Sequence, residues 1–384
     1  MSDDGLVCKC ARELLAMKSI LGKASGCPTV AACVAGVVAA MGAAPASASV
    51  YQQFRDWVVS CSNGLTCEAF HAEWESPSFR SVLLRRGIEP LAPVTLELVA
   101  TPNLLAMAGA DATVAFLIDD AEVLSVPVKD LRLEPEHQMF VYGDVSGMTR
   151  LLSSMQDGKT MKVLMRGKGG SAAYELPLSG FTASLLRVDD VQGRTGRDDA
   201  LRAKGSNPPP ASAPVRDITS LDQLPQSIRV DFDGANAVCR TGEAGQPTVL
   251  SGFDFRFEND NRLIGMPCGT AGAYNQPFAL YGGKGDTLKR LSIPSMLAGG
   301  PSVISTVYNV GLDIRGRELT AFFKGRGLGD CGIMQVWTLN EGNTDTQGPG
   351  TVLTLKEQRE KPECDGLGED GTRDWPMKWP IKPS

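Results

Sequence analysis

The 384-residue chain predicts a mainly β protein: two β-sandwich or open-barrel domains, the first with two short helices. Three observations predict it. Apolar residues recur at every second position in many short runs, Gly, Asn and Pro separate those runs, and only two stretches switch to helical spacing.

Taken in order, the first element is an export signal. Thr29 to Ala44 reads TVAACVAGVVAAMGAA, without a charge. Lys18 and Lys23 precede it and Ala46-Ser47-Ala48 follows, the basic, apolar and small-x-small parts of a secretory signal. Cleavage is expected after Ala48. The run is shorter than the ~20 residues that span a bilayer, which argues against an anchor. Val30-Ala31-Ala32-Cys33 loosely resembles a lipoprotein box, so lipidation at Cys33 stays open. Met17-Lys18-Ser19 would make an ordinary start, which would turn residues 1–16 into an extension.

Cysteine usage agrees with export. Of ten cysteines, Cys8, Cys10, Cys27 and Cys33 fall in the leader, leaving Cys61, Cys67, Cys239, Cys268, Cys331 and Cys364. An even number in an exported chain reads as disulfides, with several connectivities open. The sequential set, Cys61–Cys67, Cys239–Cys268 and Cys331–Cys364, is preferred, because the first pair is isolated by sequence and by domain. No C-x-x-C occurs and the only histidines are His71 and His137, so no metal site is expected.

The first domain is expected over residues 49–195. Trp57 to Cys61 and Cys67 to Trp74 read as a disulfide-pinned hairpin around Asn63-Gly64, a favoured turn pair. Val94 to Val99, Ala112 to Ile118 and Met139 to Tyr142 read as strands. Met148, Leu151, Leu152 and Met155 then recur at helical spacing, with Gly158 as a stop. Strands near Met161 to Met165 and Tyr174 to Leu178 follow, and Phe181, Leu185 and Val188 mark a second helix. Residues 196–217, with Pro208-Pro209-Pro210, read as an extended linker. The second domain, 218–384, carries two of the disulfides. Phe253, Phe255 and Phe257 alternate with Asp254 and Arg256, as do Val310, Leu312 and Ile314 with Gly311 and Asp313. Leu319 to Phe323, Ile333 to Leu339 and Val352 to Leu355 are further strands. The tail Trp375 to Pro380 is expected to be extended and exposed, since each Trp precedes a Pro.

Several stretches carry a resemblance. They are Gly325 to Gly332 (GRGLGDCG), Trp337 and Cys364 in the second half, and Phe54-Arg55-Asp56-Trp57 before Cys61 in the first. Leu178 to Leu186 and Asp189-Asp190-Val191-Gln192-Gly193-Arg194 complete the set. Together they resemble a family of secreted proteobacterial proteins, the domain of unknown function numbered eleven-seventy-six. The first domain is also similar to the invasion-associated locus B group. The resemblance implies location and domain plan, and no activity.

The chemistry these residues could support is narrow. The net charge of −6 gives no basic footprint for nucleic acid. No second apolar run is long enough to span a membrane. Gly327 to Gly332 spells G-x-G-x-x-G, but a strand rather than a helix is expected after it, so no dinucleotide or other cofactor is expected. The loop reads either as a glycine turn beside a disulfide or as a ligand loop presenting Arg326 and Asp330. No G-x-S-x-G elbow occurs, and the second domain has no histidine for a Ser-His or Cys-His pair. His71 reads as a sheet residue without a catalytic partner. Adjacent acids such as Asp119-Asp120 and Asp189-Asp190 read as solvated. The favoured expectation is a periplasmic or secreted non-enzymatic module that binds an envelope protein, glycan or wall component. Its candidate contacts are Arg326, Asp330, Trp337, Trp375 and Trp379. The alternative is an extracytoplasmic hydrolase with a carboxylate-based or inter-domain site.

Overall fold

The computed structural model describes residues 50–384 apart from 74, 108, 110, 234–236, 240–250, 342–350, 367–370 and 382–384. The expected signal, its cleavage site at Ala48 and the Cys33 alternative lie outside the described residues.

The architecture is mainly β, built from antiparallel sheets, with no closed barrel among the described residues. In the first half, β1 (Val50–Phe54), β2 (Trp57–Cys61), β3 (Cys67–Ala72), β4 (Phe79–Arg86) and β5 (Val94–Ala100) are joined by β8 (Arg132–Glu134) and β9 (Met139–Tyr142). They form one sheet in the order β1-β2-β3-β4-β5-β9-β8. A second sheet, β11-β10-β6-β7, contains β6 (Thr113–Ile118), β7 (Ala121–Pro127), β10 (Thr160–Gly167) and β11 (Gly170–Pro177). The helices are α1 (Pro102–Met107), α2 (Val145–Asp157) and α3 (Phe181–Val191). The two longer ones, α2 and α3, are those expected from spacing. Asp144 caps α2 by accepting from Gly147 N–H at 2.7 Å, and Met148, Leu151 and Met155 form its buried stripe. Helix α3 packs on β2 and β3. Both helices pack into a core with Trp57, Phe79, Phe116, Phe140 and Phe181.

The second half has a sheet β12-β13-β14-β15-β16, made of β12 (Val215–Ile218), β13 (Gly252–Arg256), β14 (Asn261–Pro267), β15 (Pro277–Lys284) and β16 (Thr287–Arg290). A hairpin of β17 (Ile293–Leu297) and β18 (Gly300–Ile304) follows, and then β19 (Val307–Tyr308), which pairs with β15. The last sheet runs β20 (Gly311–Asp313), β21 (Glu318–Lys324), β22 (Gly332–Glu341), β23 (Thr351–Lys361) and β24 (Met377–Trp379). Leu263, Leu280, Leu319 and Trp337 lie in the core between these elements. A short α4 (Gln226–Arg229) covers a smaller cluster around Ile264, Tyr281 and the Cys239–Cys268 bridge.

Strand β13 differs from its reading as a strand with one buried face. Phe253 and Phe255 are buried, and so is Asp254 between them. The reason is charge pairing: Arg262 reaches Asp254 through Nε (3.0 Å) and Nη2 (2.8 Å), and Arg216 through Nε (3.0 Å). An acid so neutralised can sit inside a sheet.

The halves meet through the Cys61–Cys67 hairpin. Asn63 Nδ2 donates to the Val310 carbonyl (2.8 Å) and its Oδ1 accepts from Leu312 N–H (3.1 Å). Asp217 accepts from Ser62 Oγ (2.9 Å) and Gly64 N–H (3.1 Å). A Cβ at position 64 would collide with Asp217, so the turn glycine is required by this close approach.

Candidate functional site

The loop Gly325 to Cys331 joins β21 to β22. Gly329 and Gly332 take left-handed backbone (φ +70° and +139°), and a Cβ on Gly332 would strike the Phe323 carbonyl. Strand β22 follows, so the glycine spelling has no helix N-terminus to offer a pyrophosphate. Arg326 donates from Nε and Nη2 to the two oxygens of the buried Asp330 carboxylate (2.8 and 2.5 Å). Asp330 also accepts from Gly366 N–H at 2.6 Å. The Arg326 fork holds the Asp330 carboxyl far below the usual carboxylate range, and Gly366 adds to it. The Cys331–Cys364 bridge ties the same two segments together. Asp330, Cys331 and Cys364 lie close enough to suggest metal ligands, but both sulfurs are consumed in the disulfide.

The three candidate tryptophans are structural in their surroundings. Trp337 is fully buried, with its indole N–H on the Pro294 carbonyl (2.7 Å). Trp375 is 5% exposed and packs edge-on to Phe322. Half-buried Trp379 donates to the Leu355 carbonyl (2.9 Å). The tail read as exposed is therefore partly strand. Strand β24 pairs with β23, and Arg359 Nη1 binds the carbonyls of Arg373 (2.5 Å) and Trp375 (3.0 Å). His71 rests on the sheet with Nδ1 2.7 Å from the Asp56 carbonyl oxygen.

A second constellation lies in the first half, on residues the sequence reading did not single out as ligand contacts. Asp189, at the end of α3, is buried rather than solvated, and it accepts from the N–H groups of Leu201, Arg202 and Ala203 (2.7 to 2.9 Å). That curls residues 198–204 back over the first half. Gln192 Nε2 donates to the carbonyls of Leu65 and Arg86 (2.8 and 3.0 Å). Arg194, fully buried, donates from Nη2 to the carbonyls of Gly87, Ile88 and Glu89 (2.8 to 3.1 Å) and pairs with Asp199 through Nη1. Arg197 adds a two-bond fork to Asp199 (2.8 and 2.7 Å). Arg86 reaches the Asp199 backbone carbonyl with Nη2 (2.6 Å) and lies 3.9 Å from its carboxylate.

Three guanidinium groups thus converge on Asp199, with Asp189 as the other nearby acid. Burial alone would raise the Asp199 carboxyl, but Arg197, Arg194 and Arg86 hold it below its ordinary value. Burial pushes the Arg86 guanidinium down to about 10, and Arg194 adds to that shift, so Arg86 stays charged at neutral pH. Arg86 is 6% exposed, and its Nη1 is buried with no hydrogen-bond partner among the described residues. Such a charge is costly to leave unmatched.

Arg86 lines a groove of about 840 Å³, within the usual size of ligand sites. One wall is α2, where Val145, Thr149, Leu152 and Gln156 recur along the whole helix beside buried Met148, a length of about 20 Å. Leu91 to Val94 and Asp198 to Lys204 form the other wall. Arg86, Arg202 and Lys204 are matched in number by Asp157, Asp198 and Asp199 along this lining, so what singles out Arg86 is its unpartnered Nη1 and not a net charge. A signal for it was present in β4: Val82, Leu84 and Arg86 share one phase of the strand, and the first two are core residues.

A model of the family described as "Protein of unknown function (DUF1176)" matches residues 51–382. The chain belongs to that family. This DUF1176 chain is also 25% identical over 353 residues to the uncharacterized protein YpfG of Escherichia coli (strain K12), covering 87% of this chain and 93% of that one. Among solved structures it is similar to invasion associated protein B from Bartonella henselae, at 15% identity and a TM-score of 0.30, over 38% of this chain and 99% of that one. The DUF1176 match spans both halves and every cysteine of the three bridges.

Proposed function

We propose that this chain is a periplasmic or secreted, non-enzymatic binding module. It takes an elongated envelope component bearing carboxylate or phosphate groups in the groove beside α2. The observation that carries the reading is the buried, unpartnered Nη1 of Arg86 on the groove lining. Arg86 spends Nε on the Ala92 carbonyl (3.2 Å) and Nη2 on that of Asp199, which leaves Nη1 for one charge-assisted bond, and a bound anion would supply that missing partner. Three disulfides support work outside the reducing cytoplasm. Among the described residues no helix is long and apolar enough to cross a membrane. Export through a signal cleaved after Ala48 belongs to the same proposal, and N-terminal sequencing of the exported protein tests it.

The ligand test uses the oxidised chain from residue 49 onward with two probes, oligogalacturonate and inorganic phosphate, in titration calorimetry. Oligogalacturonate should bind, and more weakly as salt rises. Arg86→Met should lower its affinity about tenfold, or ~1.4 kcal/mol. The exposed rim pair Arg202→Ala/Lys204→Ala should weaken binding while leaving the fold unchanged. Equal binding by wild type and Arg86→Met would sink the reading. The rival, a carboxylate-based hydrolase, is favoured by Asp157 and Asp198 on the same groove. Appearance of shortened oligomers, lost in Asp157→Asn/Asp198→Asn, would replace binding by hydrolysis.

A further inference from the structure

The hairpin β17–β18 pairs with no other strand among the described residues. It is held instead by side chains from the last sheet. Gln358 Oε1 accepts from Met296 N–H (2.9 Å) and Ser295 Oγ (3.3 Å), while its Nε2 donates to the Met296 carbonyl and to Glu360 (both 2.7 Å). Between hairpin and sheet lies a cleft of about 280 Å³. Leu297, Ile304, Tyr308, Phe323 and Ile333 form its apolar lining, and Leu297 at the rim is 53% exposed.

The polar residues of this cleft are Ser295, Thr306, Gln335 and Gln358. Every hydrogen-bonding group of the Gln358 amide is used. Gln335, 7% exposed, spends its Nε2 on Ser295 Oγ and Gln358 Oε1 (both 2.9 Å), and its Oε1 accepts no hydrogen bond among the described residues. Gln335 Oε1 keeps contact with solvent rather than being sealed in, so a donor can reach it through the cleft. Water can do so, but it leaves the apolar walls uncovered.

We propose that this cleft is a second ligand site, independent of the arginine groove, for a flat or compact apolar group that carries one N–H or O–H donor. The walls take the apolar body, and Gln335 Oε1 takes the donor. An indole or phenol has this chemistry, whether free or as the side chain of a partner's extended segment.

The test is an NMR titration of the oxidised chain with indole, with naphthalene, which lacks the donor, and with an acetylated Thr-Val-Trp-Val-Thr peptide. Indole should shift the amides around Ile304 and Phe323, and naphthalene should bind about tenfold more weakly, the worth of one good hydrogen bond. Gln335→Met should abolish the preference for indole. Leu297→Asp, at an exposed rim position that leaves folding intact, should weaken both. Tighter binding of the peptide than of indole assigns the site to a partner's side chain; weaker binding assigns it to a free small molecule. No shift with any probe at about 1 mM, or equal binding of indole and naphthalene, overturns the proposal.

Discussion

Two arginine-aspartate clusters sit in the two halves of this molecule, and they are built to opposite ends. At Arg326 one guanidinium meets one buried carboxylate, and Gly366 N–H and a disulfide close the same junction. At Asp199 three guanidinium groups share one carboxylate, and one of them keeps a buried nitrogen without a partner. Both clusters contain glycine-flanked arginines that look alike in sequence. What separates the two clusters is the balance of charges after internal partners are counted. The first cluster closes to neutrality, and the second, with Asp189 counted beside Asp199, is left one anion short.

That comparison can be tested at three points. The largest effect is expected at Arg194, whose guanidinium holds three carbonyls and Asp199 at full burial. Arg194→Ala should destabilise the protein by roughly 3–5 kcal/mol, read from urea unfolding, because it leaves Asp199 and the 87–89 carbonyls without their partner. A change within ~0.5 kcal/mol, as for an ordinary surface site, would erase the distinction between this cluster and the solvated charges around it.

Arg326→Ala should act through pH. The folded Asp330 carboxyl lies below its unfolded value of about 3.9. Its stabilisation is therefore complete above that value and is lost as pH falls toward the folded one. Wild type should lose stability more steeply than Arg326→Ala between about pH 5 and 2, with the two curves converging in acid. Parallel curves would mean that Asp330 does not depend on Arg326. The smallest effect concerns the stretch from Ser206 to Ser212, mostly exposed and rich in proline. A protease nick there should yield two fragments that co-elute under native conditions, since Asn63, Gly64 and Asp217 bridge the halves. Separation of the fragments would show that the contacts of Asn63, Gly64 and Asp217 do not hold the halves together without the covalent link.

Much of the fold was legible, because half-buried strands write their burial in alternation. Trp57 to Cys61 and Val94 to Val99 could be read that way, and the stripe from Met148 to Met155 announced α2. Strand β13 was harder. Asp254 looked like an outward residue until its arginines, distant in sequence, were placed beside it. The arginine groove was hard to read for the same reason, and only the inward strand phase of Arg86 hinted at it. Asp189 read as a solvated acid and Asp199 fell in the expected linker, since nothing local says that Arg86 lies against them. Trp375 and Trp379 misled in the other direction: Trp379 joins strand β24 on the edge of the last sheet, and Trp375 packs on Phe322 from a bend before it.

The Cys61–Cys67 bridge closes over a sequence separation of 6, so it needs no distant part of the chain in order to form. The hairpin tip it frames, Asn63-Gly64, later receives Val310, Leu312 and Asp217. Oxidation can therefore shape one side of the contact between the halves before the other side has folded. The second half then docks on a rigid template, and the entropy of ordering that tip has already been lost at an earlier step. A chain held reduced would carry all the residues of the contact, but its first side would lack a fixed shape.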